Sequence, residues 1–129
     1  MRGSCLCGQV EYEVSQLDSP IEHCSCRYCR KAHAAAFNTA ASVKHEHFKW
    51  LTGIDILRSY ESSPGKHRYF CGNCGTQLIA QRVGLDAVIL RVATLDEDPG
   101  QVAGVVLGLT SEADGISLLH RRHPPARSS

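Results

Sequence analysis

Residues 23–30 read His-Cys-Ser-Cys-Arg-Tyr-Cys-Arg, which places three thiols within six positions of the chain. Two more thiols precede this stretch in Cys-Leu-Cys-Gly at residues 5–8, and two follow it in Cys-Gly-Asn-Cys-Gly at residues 71–75. The total of seven cysteines is odd, so they cannot all pair as disulfides. Closely spaced thiols are ligands that zinc prefers, and this spacing predicts two zinc sites.

Length and composition exclude several classes of protein. The 129 residues suffice for one domain with an ordinary core, and a hydrophobic fraction of 43% is typical of a globular chain. A formal charge of +1 predicts no nucleic-acid partner. No apolar run approaches the roughly 20 residues that cross a bilayer, and the first residues show no apolar signal segment. We therefore expect a cytoplasmic protein without a membrane partner, in a reducing compartment that favours metal-binding thiols.

Alternating apolar and polar residues predict short strands along most of the chain. Val10, Tyr12 and Val14 alternate with polar residues, as in a half-buried strand. We expect Cys5 and Cys7 to lie in the extended segment before it, with both sulfurs on one face. The further strands predicted on similar grounds cover residues 21–24, 37–43, 54–60, 67–70, 76–82, 85–95 and 102–109.

Only one stretch of the sequence predicts a helix. Residues 27–36 are rich in helix formers and contain neither Gly nor Pro. Residues 45–51 fit either a turn of helix or a strand. Both faces of the strand predicted at 85–95 carry apolar side chains, so we expect both to be covered, including the face of Ala93. Many short strands separated by turns predict a mainly β fold.

The outer cysteine pairs predict a structural zinc site. Cys71-x-x-Cys74-Gly75 is typical of a zinc knuckle, in which one tight turn presents two thiolates and glycine tolerates a positive φ. Cys5 and Cys7 supply a second pair, and the shared ion would tie the first strand to the middle of the chain. Two alternatives remain: the knuckle thiols could be buried or redox-active, or a thiol of the central stretch could complete the set.

The central thiols predict a different kind of site. Cys24, Cys26 and Cys29 can close on one ion and leave a fourth position for water or substrate, which is typical of catalytic zinc. A thiol entering that position would lose its proton. The resulting thiolate could add to a carbonyl, or leave in the reverse cleavage of a carbon–sulfur bond.

The net charge of such a site adds a second expectation. Zinc with three thiolates is negative, and nearby basic residues would offset that charge and attract an anionic substrate. The candidates are Arg27, Arg30 and Lys31. An alternative is a second structural site in which a histidine is the fourth ligand. The histidines considered are His23, His33, His45 and His47.

Five stretches of the sequence resemble the glutathione-dependent formaldehyde-activating enzyme family, which includes the centromere protein V-like domains. They are GSCLCGQVEY at 3–12, HCSCRYCRK at 23–31, YESSPG at 60–65, RYFCGNCGTQL at 68–78 and TLDEDP at 94–99. The resemblance implies an Mss4-like β-tent over residues 1–110, mainly β, with short antiparallel sheets around two zinc ions and little helix. It implies these ligands: Cys5, Cys7, Cys71 and Cys74 for structural zinc, and Cys24, Cys26 and Cys29 for catalytic zinc.

The family's named reaction is carbon–sulfur lyase chemistry, the reversible joining of glutathione and formaldehyde as S-hydroxymethylglutathione. The resemblance therefore implies glutathione or a similar small thiol as partner. The chain departs from the family at Ala34–Ala36, where relatives carry a Gly-containing segment, and after Gly100, where they carry a His- and Trp-containing ending. We expect residues 111–129 to be a divergent, mobile C-terminal tail. A zinc-stabilised binding module and an inactive relative are the alternative functions.

Overall fold

The computed structural model of this protein describes residues 1–101 and the backbone of residues 105–107. The described part consists of short β-strands, one short helix and three single turns of 3₁₀ helix. The strands β1 to β10 span Arg2–Ser4, Glu11–Val14, Glu22–Cys24, Asn38–Lys44, Phe48–Thr52, Leu57–Ser63, Lys66–Cys71, Gln77–Arg82, Ala87–Arg91 and Val105–Leu107. The helix α1 spans Arg27–His33, and the 3₁₀ turns span His45–His47, Ile54–Ile56 and Val92–Thr94.

These strands form two sheets. The smaller sheet has the order β1-β2-β5, and the larger has the order β10-β3-β4-β9-β8-β7-β6. Neighbouring strands are antiparallel, except that β10 runs parallel to β3. A bridge between Gly3 and Leu95 joins the first strand to the segment after β9. The predicted mainly β fold, with short antiparallel sheets and little helix, is confirmed.

The core begins with the alternating residues of the first hairpin. Val10, Tyr12 and Val14 are fully buried, as the alternation predicts. The ring of Tyr12 stacks on Phe48 with centroids 5.4 Å apart, and its hydroxyl shares a 2.6 Å hydrogen bond with the Thr94 hydroxyl. A buried Tyr hydroxyl needs such a partner, so Tyr12 links the smaller sheet to the 3₁₀ turn that follows β9.

Two segments expected to be extended are turns instead. Cys5 and Cys7 lie in a turn between β1 and β2, closed by a 3.0 Å hydrogen bond from the Gly8 N–H to the Cys5 carbonyl. Gly8 has φ +79°, which glycine adopts without steric strain. Residues 54–56 form a 3₁₀ turn, in which the Ile56 N–H donates to the Gly53 carbonyl at 3.1 Å. Only the second half of the predicted strand 54–60 is therefore extended.

Three other predicted segments contain the expected elements, but over fewer residues than predicted. The helix predicted over residues 27–36 ends at His33, because Ala34 takes the left-handed conformation at φ 51°. Residues 45–51 begin with a 3₁₀ turn and continue as β5, so both interpretations apply in part. The strand predicted over residues 85–95 ends at Arg91, and Ala93 is exposed, contrary to our expectation.

The C-terminal region is described only in part. Of the strand predicted at 102–109, residues 105–107 form β10, and the rest lies outside the described residues. The tail predicted at 111–129 also lies outside them, as does the end of the domain predicted at 1–110. In the part of the chain that the structure covers, no helix has the length and apolar character that spanning a bilayer requires.

The loop between β2 and β3 is held by Asp18, whose side chain is only 8% exposed. Its carboxylate accepts hydrogen bonds from the Lys44 N–H at 2.7 Å and from Gln16 Nε2 at 2.7 Å, and pairs with His47 Nδ1 at 2.9 Å. The hydrogen bond with His47, followed by that from Lys44, lowers the pKa of Asp18 from 3.8 to about 2. Because the folded pKa is the lower one, the ionised carboxylate stabilises the fold above about pH 4. That stabilisation is lost as the pH falls towards 2.

We expect Asp18→Asn to lower the melting temperature at pH 7 and to reduce the loss of stability between pH 4 and pH 2, because asparagine does not titrate. Thermal unfolding followed by circular dichroism across this range measures both effects. Asp55→Asn is the control, since Asp55 is exposed. Equal melting temperatures of the two variants at every pH would contradict the assigned role of Asp18.

Candidate metal centres

The four-cysteine cluster, formed by Cys5, Cys7, Cys71 and Cys74, lies where the two sheets meet. The first two residues belong to the turn after β1, Cys71 ends β7, and Cys74 lies in the turn before β8. The four sulfurs lie within 4.8 Å of one another, with Cys7 Sγ 3.6 Å from Cys5 Sγ and 3.8 Å from Cys71 Sγ. A tetrahedron with Zn–S bonds of about 2.3 Å has S···S edges of about 3.8 Å. The cluster could therefore hold a metal, and its spacing is compatible with zinc.

The backbone around this cluster favours thiolates. The N–H groups of Val10, Asn73 and Cys74 donate to cluster sulfurs at 3.3, 3.3 and 3.4 Å, respectively. Hydrogen bonds from the Thr76 hydroxyl and backbone lower the pKa of Cys74 to about 5. Burial raises the pKa of Cys5 to about 11, so a bound cation would be needed to hold that thiol as a thiolate at neutral pH.

The three-cysteine cluster, formed by Cys24, Cys26 and Cys29, lies at the junction of β3 and α1. Cys24 ends the strand, Cys26 is the N-cap of the helix, and Cys29 lies in its first turn. The Cys29 N–H donates to Cys26 Sγ at 3.4 Å, so a thiol takes the capping place usually held by Ser or Asp. The three sulfurs lie within 4.8 Å of one another. This cluster could also hold a metal.

Among the described residues, no fourth Cys, His, Asp or Glu joins the three-cysteine cluster. His23 Nδ1 shares a 2.8 Å hydrogen bond with the Thr39 hydroxyl, and His47 pairs with Asp18. Neither His33 nor His45 belongs to the cluster. Each of the four histidines considered as a fourth ligand thus lies outside it.

Besides Arg30, which directly follows Cys29, two buried arginines on other elements accompany the three-cysteine cluster. Arg68 of β7 and Arg91 of β9 are 3% and 4% exposed. Hydrogen bonds with the other two thiols of the cluster hold the pKa of Cys29 far below its ordinary value. The charges of Arg68 and Arg91 lower the pKa of Cys29 further. These cations reach the cluster from strands that are distant from it in sequence.

Sequence reasoning did not identify this arginine pair. It identified the neighbours Arg27, Arg30 and Lys31, of which Arg30 is itself buried. Arg27 and Lys31 line a cavity of about 460 Å³ that Arg68 also lines. The sequence did contain a signal that Arg91 is buried. Arg91 directly follows the apolar residues 87–90, in a strand expected to be covered on both faces.

A larger cavity of about 860 Å³ also borders α1. Arg91, Asn38 and His33 are among its lining residues. Ala32 of α1 and Gln77 of β8 line both cavities. The helix that carries Cys29 therefore borders two spaces large enough for small molecules, one lined by Arg91 and the other by Arg68.

The fold and the two clusters define a small β protein with two candidate metal centres. The family model for the glutathione-dependent formaldehyde-activating enzyme matches residues 1–106, and the chain belongs to this family. The matched range contains all seven cysteines. A crystal structure of a Rhodobacter sphaeroides protein is similar, with 27% sequence identity over 83% of this chain and 99% of that chain, and a TM-score of 0.69. The family resemblance of the sequence motifs is thus confirmed.

Proposed function

We propose that this protein is a zinc-dependent carbon–sulfur lyase that reversibly joins a small thiol and formaldehyde, with glutathione as the thiol that the family description names. One observation carries the proposal: four protein sulfurs meet at one cluster, but only three meet at the other among the described residues. Four protein ligands are typical of structural zinc, and three are typical of catalytic zinc. A reducing cytoplasm, where we place the protein, would keep both clusters as thiols.

The donor atoms support two zinc ions per chain. Sulfur-only sites select zinc over magnesium or calcium, which prefer oxygen. We assign structural zinc to the four-cysteine cluster and catalytic zinc to the three-cysteine cluster. When bound at the latter, zinc supplies a vacant position at which a substrate thiol loses its proton.

The arginine pair supports an anionic fourth partner. Three thiolates and one divalent cation leave one negative charge, which the charges of Arg68 and Arg91 outweigh by one. Buried charges interact more strongly than exposed ones, because little water screens them. The surroundings of the three-cysteine cluster therefore favour additional negative charge, such as that of a substrate thiolate.

The proposed reaction balances without an oxidant or reductant. The thiolate sulfur forms a bond with the carbonyl carbon of formaldehyde, and the π electron pair of the C=O bond moves onto oxygen. That oxygen takes up the proton that the thiol has lost. In reverse, the carbon–sulfur bond breaks and the C=O bond forms again. During both steps, β3 and α1 hold the three sulfurs in place.

Metal analysis with and without glutathione tests the proposal. We expect two zinc ions per chain, and X-ray absorption should detect one additional sulfur ligand per chain when glutathione is added. The exchange of ¹³C-formaldehyde with glutathione, followed by NMR, should be faster with the protein than without it. S-methylglutathione is the control for ligation, because it has no ionisable thiol. One zinc per chain with no response to glutathione would instead favour the binding module or the inactive relative.

A further inference from the structure

The Arg91 guanidinium has one edge that no described residue binds. Its Nη1 donates to Asn38 Oδ1 at 3.1 Å, which fixes the group in the sheet. Its Nε and Nη2 are buried and have no hydrogen-bond partner. The N–H bonds of these two nitrogens point in parallel and match the two oxygens of one carboxylate.

No ion pair joins Arg91 to an acidic side chain of the described residues. Asp96 lines the same 860 Å³ cavity as Arg91, but its carboxylate accepts a hydrogen bond from the Ser4 hydroxyl at 2.8 Å. No thiol accepts a hydrogen bond from Nε or Nη2 either. Buried N–H groups without an acceptor are unfavourable, so this edge of the guanidinium is suited to an external anion.

Two other residues that line the same cavity each have one unsatisfied buried atom. His33 Nε2 and Gln77 Oε1 are buried and have no hydrogen-bond partner. Burial lowers the pKa of His33 to about 4, so its ring is neutral at pH 7 and can donate one hydrogen bond. The Gln77 amide can turn to present its NH₂ group instead of its oxygen. The cavity thus combines one fixed cation with two adaptable hydrogen-bonding groups.

We propose that the Nε/Nη2 edge of Arg91 is an anion subsite that binds a carboxylate of the thiol substrate. The substrate class is therefore a small thiol that carries at least one carboxylate, and Arg91 selects it over neutral thiols. This inference rests on the proposed function for its thiol, but the carboxylate contact can be measured separately.

Calorimetric titration of the zinc-loaded protein with S-methylglutathione isolates that contact, because this probe keeps both carboxylates and lacks an ionisable thiol. We expect Arg91→Met to weaken binding by about 10- to 100-fold, the range for loss of charge-assisted hydrogen bonds. Arg91→Lys keeps the charge without the parallel edge and should also weaken binding. Arg82→Met is the matched control, since Arg82 is exposed on β8 and should bind the probe as the wild type does.

The diester of the same probe separates recognition from a structural role. The wild type should bind the acid more tightly than the diester, and Arg91→Met should bind the two alike. Equal preference for the acid in both proteins would overturn the subsite, as would failure of the wild type to bind the acid. If Arg91→Met does not fold, as judged by circular dichroism and zinc content, an unchanged acid preference in folded Arg91→Lys would overturn it.

The lyase proposal and the subsite can fail independently. An Arg91-dependent preference for the acid, without faster formaldehyde exchange, would support the subsite and overturn the lyase. Faster exchange with glutathione and its diester alike would support the lyase and overturn the subsite.

Discussion

Replacing Cys29 by serine is expected to abolish thiol-dependent formaldehyde exchange and to lower bound zinc from two ions to one per chain. A serine hydroxyl is not ionised at neutral pH, so only Cys24 and Cys26 would remain as ligands. Removing a residue that only hydrogen-bonds to a metal ligand lowers activity by roughly 10- to 100-fold. Removing a ligand itself, as in Cys29→Ser, should lower the exchange rate by more than that. Elemental analysis measures the zinc, and NMR with ¹³C-formaldehyde measures the exchange.

The fold should survive this change, because Cys29 belongs to the cluster at the start of α1 and not to the one that links the sheets. Val83→Ser introduces the same residue at an exposed turn after β8 and should keep both metals and full activity. Two zinc ions and undiminished exchange in Cys29→Ser would refute the assignment of the three-cysteine cluster as the reaction centre.

Replacing Cys71 by serine is expected to unfold the protein at room temperature. Cys71 is fully buried, and its cluster joins the turn of the smaller sheet to the end of β7 in the larger one. Apparent binding free energies of structural zinc are about 10–16 kcal/mol, whereas the whole stability of a domain is about 5–15 kcal/mol. Losing a large part of the zinc-binding free energy is therefore enough to cancel the stability of the whole domain.

Circular dichroism, amide NMR dispersion and thermal unfolding follow this loss, and a strong zinc chelator should cause it in the wild type. Cys24→Ser is the matched control, since it makes the same substitution in the three-cysteine cluster. That variant should unfold cooperatively near the wild-type temperature. Similar melting curves for Cys71→Ser and Cys24→Ser would show that the two clusters do not divide structural and catalytic roles as proposed.

Much of this protein could be predicted from short-range patterns. Alternation identified Val10, Tyr12 and Val14 as core residues, and all three are fully buried. The spacing of the cysteines identified two pairs and a trio, and the family resemblance combined the two pairs into the group of four whose sulfurs meet in the structure. Such patterns are reliable here because neighbours in sequence stay within a few ångströms of each other whatever the rest of the chain does. Even so, the extended conformation predicted for Cys5 and Cys7 was wrong. These residues form a hydrogen-bonded turn, which competes locally with an extended strand.

The sequence by itself therefore determined the mainly β class, the cysteine sets and the family. Only the tertiary structure decided what surrounds them: the joining of two sheets at the four-cysteine cluster, the two cavities beside α1, and the buried arginines near Cys29. Arg91 is paired with Ala40 across β9 and β4, and Arg68 lies on β7, two strands away from β9. The positions of such residues depend on strand order and register, which arise from pairings between distant segments that no local spacing contains.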